Sequence, residues 1–328
     1  MSPLLSKTLI ALCICYLATL PLFNTETMSV ARISRSVVKK VFAIEQSEGA
    51  GARVRRSIGS MNLRNLTPFL MLDHFHVGNG AGFPDHPHRG QATVTYMIEG
   101  SSRHEDSAGH KGTIVAGGVQ WMCAGRGIIH AEMPVHEPGK PDPRGFQLWV
   151  DLPKQFKMVE PSYQELGPEE IPVAYPEGKD GPTSIKVISG KSHGVESPVR
   201  PLGGCWFFHA TYKQKKSTIF QEIPAGWTTF AYVFKGKVSV GEDQTIHDSY
   251  NTLVFSSEKN ETGVSITAEE DGTELILVAG EPLDQTVFQY GPFVMTTREE
   301  IQQTLRDYQL GQNGFEKAHR WKSEIGGL

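Results

Sequence analysis

Histidine is concentrated in one short part of this 328-residue chain, because eight of the twelve histidines lie within residues 74–136. Two pairs there carry metal-binding side chains separated by one residue: His86 with His88, and His130 with Glu132. In a β-strand, residues i and i+2 project from the same face, about 6.6–7 Å apart along the strand. Their side chains can converge on one ion, with bonds of about 2.0–2.2 Å. Two facing strands would thus bring three imidazoles and one carboxylate to a first-row metal and leave positions open for water or substrate.

A third pair, His74 and His76, repeats this spacing and is the chief alternative. It follows the apolar run 69–72, so these histidines could lie beside the metal pocket. The commoner outcome is that strand alternation turns such side chains towards the surface. The other histidines of this part of the chain are expected on solvent-exposed hairpins and loops: His104, His110 and His136.

Composition excludes several classes of protein. With 39% hydrophobic and 21% charged residues, the chain is too apolar for a disordered protein and too polar for a polytopic membrane protein. Its length suggests about two domains. The net charge of -4 argues against direct nucleic-acid binding, which needs the opposite balance.

Cysteine usage argues against a thiol-based site. Cys13 and Cys15 lie in an apolar N-terminal segment, and Cys123 and Cys205 lie in the body of the chain. Neither body cysteine belongs to a C-x-x-C pair, which excludes thiolate zinc sites and thioredoxin-type chemistry. The sequence does not decide whether these two cysteines form a disulfide, although a reducing compartment is the simpler interpretation.

Residues 1–27 form an apolar N-terminal extension outside the predicted fold. The apolar run 8–23 is shorter than the ~20 residues that span a bilayer, and it is typical of a signal-peptide core. The alternative is an upstream start codon, with Met28 as the working start. Translation from Met28 predicts a cytoplasmic and nuclear protein, and a signal peptide predicts a secreted or endomembrane one. We expect no membrane span in the body.

The body is predicted to be all-β, with two series of short strands. Residues 93–98 (TVTYMI) form the strongest strand, and residues 229–234 (TFAYVF) repeat its pattern in the second half. The many short strands predict antiparallel barrels or jelly rolls. The repeated pattern predicts an internal duplication of one barrel. A terminal helix is expected over residues 297–310, with Thr296 or Thr297 as the cap and Gly311 as the stop. The predicted divisions are a first barrel at 28–165, a linker at 166–182, a second barrel with the helix at 183–316, and a tail at 317–328.

Four segments resemble the pirins, a branch of the cupin superfamily: residues 83–90 (FPDHPHRG), 120–122 (QWM), 124–134 (AGRGIIHAEMP) and 147–153 (QLWVDLP). The resemblance extends from about Ser36 to Glu316. It implies two tandem cupin barrels of jelly-roll type.

The resemblance also implies one iron ion per chain, Fe(2+) or Fe(3+), in the first barrel. The implied metal ligands are His86, His88, His130 and Glu132; a set of this kind also accepts other divalent transition metals. Other cupins often carry a glutamate shortly after the first histidine pair, but this chain has Gln91 there. The matching part of the second barrel, residues 224–228 (PAGWT), lacks ligand types, so we expect no metal there; His209 and His247 are expected to be ordinary strand or loop residues.

Two functions from different classes follow from the resemblance. The first is a dioxygenase that opens the ring of a flavonol such as quercetin with dioxygen and releases carbon monoxide, with Glu132 as the catalytic residue that shuttles the enolic proton. An ion in this site can lower the pKa of that hydroxyl. The second is an iron-dependent, redox-responsive co-regulator that binds transcription factors in the nucleus.

A chain of two barrels needs no partner to cover its cores, which favours a monomer.

Overall fold

The computed structural model describes residues 31–326. The predicted extension at residues 1–27 lies outside this range. Among residues 31–326, no helix is long and apolar enough to span a lipid bilayer.

Short strands dominate the first half of the described chain: β1 (Val37–Phe42), β2 (Ile44–Glu48), β3 (Ala52–Arg56), β4 (Phe69–His76), β5 (Phe83–His88), β6 (Gln91–Glu99), β7 (Ser101–Asp106), β8 (Lys111–Val115), β9 (Val119–Cys123), β10 (Ile128–Val135), β11 (Arg144–Asp151) and β12 (Ser162–Leu166). A 3₁₀-helix, Lys154–Phe156, lies between β11 and β12.

The second half continues in the same way and ends in a helix: β13 (Val173–Ala174), β14 (Thr183–Ser189), β15 (Lys191–Ser192), β16 (Val195–Glu196), β17 (Cys205–Tyr212), β18 (Thr218–Glu222), β19 (Thr228–Lys235), β20 (Lys237–Val240), β21 (Asp243–Asp248), β22 (Asn251–Phe255), β23 (Gly263–Ala268), β24 (Thr273–Gly280), β25 (Phe288–Tyr290), β26 (Phe293–Met295) and α1 (Arg298–Leu310).

Each barrel consists of a seven-stranded and a four-stranded sheet, which confirms the predicted all-β fold of two tandem barrels. The first barrel has the orders β12-β9-β6-β11-β4-β3-β2 and β5-β10-β7-β8. The second has the orders β1-β22-β19-β24-β17-β14-β13 and β18-β23-β20-β21. The two sets correspond strand for strand, in support of the predicted internal duplication.

The two repeats exchange their first strands. β1 pairs with β22 of the second barrel, while β12 pairs with β9 of the first. The sequence-based division had assigned β1 to the first barrel. Pairing of an edge strand depends on which sheet leaves its N–H and C=O groups unpaired, and the strand's own residues do not encode this choice. We therefore propose residues 28–165 and 183–316 as the two barrels, except that β1 belongs to the sheet of the second barrel.

The central strands of the seven-stranded sheets are buried on both faces, since one face lines a barrel and the other packs against the neighbouring barrel. In β6, all residues from Gln91 to Met97 are buried. Continuous apolar and β-branched runs are typical of strands covered on both sides. At the interface between the barrels, the rings of Phe69 and Phe230 meet edge to face at 5.1 Å.

The terminal helix confirms the prediction. Thr297 caps α1 by accepting a hydrogen bond from the backbone N–H of Glu300, whose side chain bonds back to the N–H of Thr297. Gly311 ends the helix with a positive φ of 63°. Although α1 follows the second barrel in the chain, its buried residue Ile301 belongs to a cluster with Ile129 of the first barrel.

Candidate metal centre

Two neighbouring strands of the four-stranded sheet carry the three histidines. β5 and β10 pair antiparallel, with His86 directly opposite His130 and His88 opposite Ile128. Alternation along β10 turns His130 into the barrel, while the preceding Ile129 packs outwards against the C-terminal cluster. Register and alternation thus direct the imidazoles into one space.

The spacing of the imidazoles fits a metal ion. His86, His88 and His130 each offer a ring nitrogen, and these nitrogens lie within 4.8 Å of one another. The Nε2 atoms of His86 and His130 are 2.9 Å apart. Two nitrogens bound at about 2.1 Å to one ion, with their bonds at right angles, would be separated by about 3 Å.

The protonation states fit as well. Burial, followed by the positive charge of neighbouring histidines, holds the pKa of His88 and of His130 well below the usual value. Both rings are therefore neutral at pH 7, as metal ligation requires. Nδ1 of His86 donates to the backbone carbonyl of Pro84 at 2.8 Å, so Nε2 is the ring nitrogen that faces the other two histidines.

His88 is oriented by residues outside the four-stranded sheet. The side-chain amide nitrogen of Gln91 lies 2.9 Å from Nδ1 of His88, and it also donates to the carbonyl oxygen of Pro292 at 3.0 Å. An amide nitrogen only donates hydrogen bonds, so Nδ1 of His88 accepts one from Gln91. Partners of this kind hold the ring of a histidine in a fixed orientation.

Glu132 lies beside the three histidines, and the facing sheet holds it there. Its Oε2 is 3.9 Å from Nε2 of His130. Thr95 donates to Oε1 at 2.7 Å and Gln147 donates to Oε2 at 3.1 Å. These two residues are directly opposite each other on β6 and β11. The structure therefore brings all four predicted residues into one region; their binding of a metal remains a prediction.

Sequence reasoning missed Thr95 and Gln147 as partners of Glu132. The only signal in the chain was a polar residue flanked by buried neighbours, since Thr95 lies between Val94 and Tyr96, and Gln147 lies between Phe146 and Leu148. Buried polar groups require hydrogen-bond partners. Which partner they find depends on the facing sheet.

The rival pair is not part of the cluster. His74 is buried between the barrels, where Nδ1 lies 3.2 Å from the hydroxyl of Tyr232. His76 is exposed, and its Nε2 lies 3.6 Å from a carboxylate oxygen of Asp142. Strand alternation did turn His76 to solvent, but it turned His74 towards the other barrel.

Three further histidines differ in part from expectation. His104, predicted on an exposed hairpin, is buried, with Nε2 3.1 Å from Oε1 of Glu165. The expected loop residue His136 is mostly buried beside Asp142. His209 is a strand residue as predicted, but it is buried and bonds to the hydroxyl of Tyr96 across the barrel interface.

A cavity of about 720 Å³ opens from the histidines to the surface of the first barrel. Its walls combine apolar side chains with a few polar groups, as is usual for small-molecule sites. The ring of Trp149 lies 5.1 Å from that of His88. Further in-facing residues line the walls: Met71, Phe75, Phe83, Arg56, Asp73 and Gln147.

The second barrel carries different side chains at the corresponding strands. On β18 and β23, Ile219 is opposite Ile266 and Gln221 is opposite Val264. Aliphatic side chains offer a metal no ligand atom. Within residues 31–326, His86, His88 and His130 form the only group of three potential ligands this close together. That the second barrel binds no metal stays a prediction.

The two body cysteines do not form the disulfide that the sequence left open. Cys123 and Cys205 are both free and buried. Burial raises the pKa of each thiol, which keeps both thiols protonated.

Comparison with known proteins agrees with this geometry. The family model described as Pirin matches residues 51–150, and the one described as Pirin C-terminal cupin domain matches residues 208–314. Pirin-like protein 2 of Arabidopsis thaliana is 47% identical over 298 residues, which cover 89% of this chain and 89% of that protein. Human pirin is 47% identical over 301 residues, covering 89% and 99%.

A solved structure is similar over most of the chain. Quercetin 2,3-dioxygenase from Acinetobacter baumannii superimposes with a TM-score of 0.76 at 30% sequence identity, covering 86% of this chain and 99% of that one. The first family model spans the histidine cluster, and the second spans most of the second barrel. This chain therefore belongs to the pirin family.

Proposed function

We propose that this pirin is an iron-dependent dioxygenase of the quercetin 2,3-dioxygenase type, acting on a flavonol-like enolic substrate. In this proposal, His86, His88, His130 and Glu132 hold one iron ion per chain. The observation that carries the proposal is the cluster of three imidazoles beside the cavity. A solved structure with 30% identity and the name quercetin 2,3-dioxygenase supports the choice of reaction.

The cavity suits a flat aromatic substrate. Trp149, Met71 and Phe75 line it with apolar surface, which packs against aromatic rings and excludes water. The guanidinium of Arg56 is bonded to both carboxylate oxygens of Asp73, at 2.8 and 2.6 Å. Arg56 also donates to a carboxylate oxygen of Glu48 at 2.6 Å, so its positive charge is fully compensated, which suits an uncharged polyphenol better than an anion.

Glu132 is the group that would take the enolic proton. Bound iron would lower the pKa of the substrate hydroxyl and supply electron density for the reaction with dioxygen. Thr95 and Gln147 donate to the two carboxylate oxygens and so keep the group aimed at the inner end of the cavity. When the carboxylate accepts the proton, these residues retain its position.

The test begins with metal analysis of the purified protein, followed by an aerobic assay of the iron-loaded protein with quercetin. Oxygen uptake and carbon monoxide release are expected, and Glu132→Gln should abolish both even in samples of the variant that are loaded with iron through the three histidines. Iron-loaded protein that shows neither oxygen uptake nor carbon monoxide would contradict the proposal. The co-regulator alternative predicts instead that Glu132→Gln changes partner affinity between oxidised and reduced samples.

A further inference from the structure

The residue that follows His88 is a fully buried arginine. The guanidinium of Arg89 donates to a carboxylate oxygen of Asp307 at 2.8 Å and to the hydroxyl of Thr304 at 3.1 Å, both on α1. It also donates to the backbone carbonyls of Arg126 and Asn313, at 2.6 and 2.5 Å. Every bond therefore leads from the histidine-bearing strand to α1, to the segment that follows it, or to the turn before β10.

The backbone next to His88 is held by the same C-terminal segment. Residues 288–315, here called the C-terminal clamp, comprise β25, β26 and α1. The N–H of Val294 donates to the carbonyl of Arg89 at 3.0 Å. Approach is so close at Gly90 that an added Cβ would lie 1.9 Å from the carbonyl oxygen of Val294. Lys157 joins both sides, donating to the carbonyls of Gly90 and Val294 at 2.8 and 3.0 Å.

The C-terminal clamp also reaches the surroundings of two of the three imidazoles. The carbonyl of Pro292 accepts a hydrogen bond at 3.0 Å from the amide nitrogen of Gln91, and this nitrogen lies 2.9 Å from Nδ1 of His88. Beside His130, Ile129 packs with Phe293 and Phe315 of the clamp in one buried cluster. The two strands that carry the histidines, β5 and β10, therefore both contact the C-terminal clamp on the outside of the barrel.

The second barrel contains a buried arginine in a comparable place, far from any candidate metal ligand. Arg35 donates to the backbone carbonyls of Trp227 and Pro224, at 2.5 and 3.0 Å, and to the hydroxyl of Thr229 at 2.9 Å. It holds the turn between β18 and β19, which corresponds to the turn between β5 and β6 in which Arg89 lies. Arg35 is thus a matched control for a purely structural role.

We propose that Arg89 and Asp307 are positioning residues for the metal centre, and that the C-terminal clamp they secure sets the affinity of the histidine cluster for a divalent transition metal. This inference rests on the proposed metal binding. Its first physical basis is that residues bonded around a metal-binding imidazole fix the orientation of its ring. Its second is that removing one member of a buried ion pair leaves the charge of the other uncompensated. Binding is reciprocal, so the metal should in turn protect the clamp from opening.

The test compares Co²⁺ binding to the metal-free full chain and to three variants, using the visible absorption of Co²⁺ well below each melting temperature. Asp307→Asn removes the carboxylate that pairs with Arg89. Thr304→Val is the milder second variant, which removes the hydrogen bond from Arg89 and the one to the backbone carbonyl of Glu300, and keeps the shape and the charges. We expect Asp307→Asn to weaken Co²⁺ binding about 10-fold or more, Thr304→Val to weaken it less, and Arg35→Lys to lower only the melting temperature.

Hydrogen exchange of residues 288–315 supplies a second measurement, and we expect it to slow when Co²⁺ binds to the unaltered chain. Unchanged Co²⁺ affinity in Thr304→Val and in Asp307→Asn would overturn the proposal, as would an equal loss in Arg35→Lys. If Asp307→Asn does not fold, Thr304→Val decides the outcome. A wild-type chain that binds no Co²⁺ would refute the proposed metal site itself.

Discussion

The Nε2 atoms of His86 and His130 lie 2.9 Å apart, although 44 positions separate the two residues in the chain. Nδ1 of His86 donates to the carbonyl of Pro84, so Nε2 is the ring nitrogen of His86 that faces His130. Two imidazole nitrogens at this distance can share a hydrogen bond, and they can also bind one metal ion together. The pairing of β5 with β10 therefore brings two potential ligand atoms to one position.

Replacement of one imidazole should remove most of the metal affinity. For His130→Ala, we expect affinity for Co²⁺ or Fe²⁺ to fall by more than about 100-fold, since even outer partners of a ligand contribute about 10- to 100-fold. Metal content of the purified variant and titration by isothermal calorimetry measure the effect. His76→Ala, which removes an exposed imidazole, is the matched control, and equal losses in both variants would rule out the cluster as the binding site.

The interface between the barrels should make the metal-free protein sensitive to acid. Burial, followed by repulsion from Arg144 and Arg55, lowers the pKa of His74 to about 3. An unfolded histidine titrates near 6.5. Between those values the unfolded state binds more protons, so stability falls as the pH drops, by up to about 1.4 kcal/mol per pH unit for this one group.

The variant His74→Phe, which keeps an aromatic ring, should lose part of this dependence. Urea unfolding of the metal-free chain at several pH values from 7.5 to 4.5 gives the slope of the free energy of unfolding against pH. The exposed substitution His76→Asn should retain the wild-type slope. Identical slopes for wild type and His74→Phe would show that His74 is not responsible.

Exchange of the first strand should couple the N-terminal residues to the stability of the second barrel. A chain that begins at residue 43 lacks β1 and Arg35, and leaves the edge of β22 unpaired. We expect a loss of about 3 kcal/mol or more, since several ladder hydrogen bonds of ~1 kcal/mol each disappear. A chain that begins at Met28 retains β1 and should match the full-length chain; equal stability of all three chains would contradict the exchange.

The orientation of Glu132 should depend on Thr95. Thr95→Val removes the hydroxyl that donates to Oε1 and preserves the shape of the side chain. We expect quercetin-dependent oxygen uptake to fall about 10-fold with unchanged iron content, because a catalytic carboxylate acts only when it is correctly placed. Thr95→Ser should restore most of the rate, and a Thr95→Val enzyme with full activity would exclude this role for the hydroxyl.

Local patterns predicted the elements that depend on local interactions. The strand expected at residues 93–98 is the centre of β6, and the helix expected at 297–310 begins and ends at its predicted caps. Cap residues and β-branched runs act through neighbours in the chain, so they can be recognised from the sequence. The i, i+2 spacing of His86 and His88 belongs to the same category.

Tertiary structure alone determined which distant residues meet. The chain order does not reveal that β1 completes the second barrel, that Thr95 and Gln147 hold Glu132, or that α1 returns to pair Asp307 with Arg89. It also did not reveal that His74 and His104 are buried. Such contacts arise when sheets pack and edges pair, and their energy depends on groups far apart in the sequence. The residue types therefore determined what chemistry is available, and the packing of the two barrels determined where it is assembled.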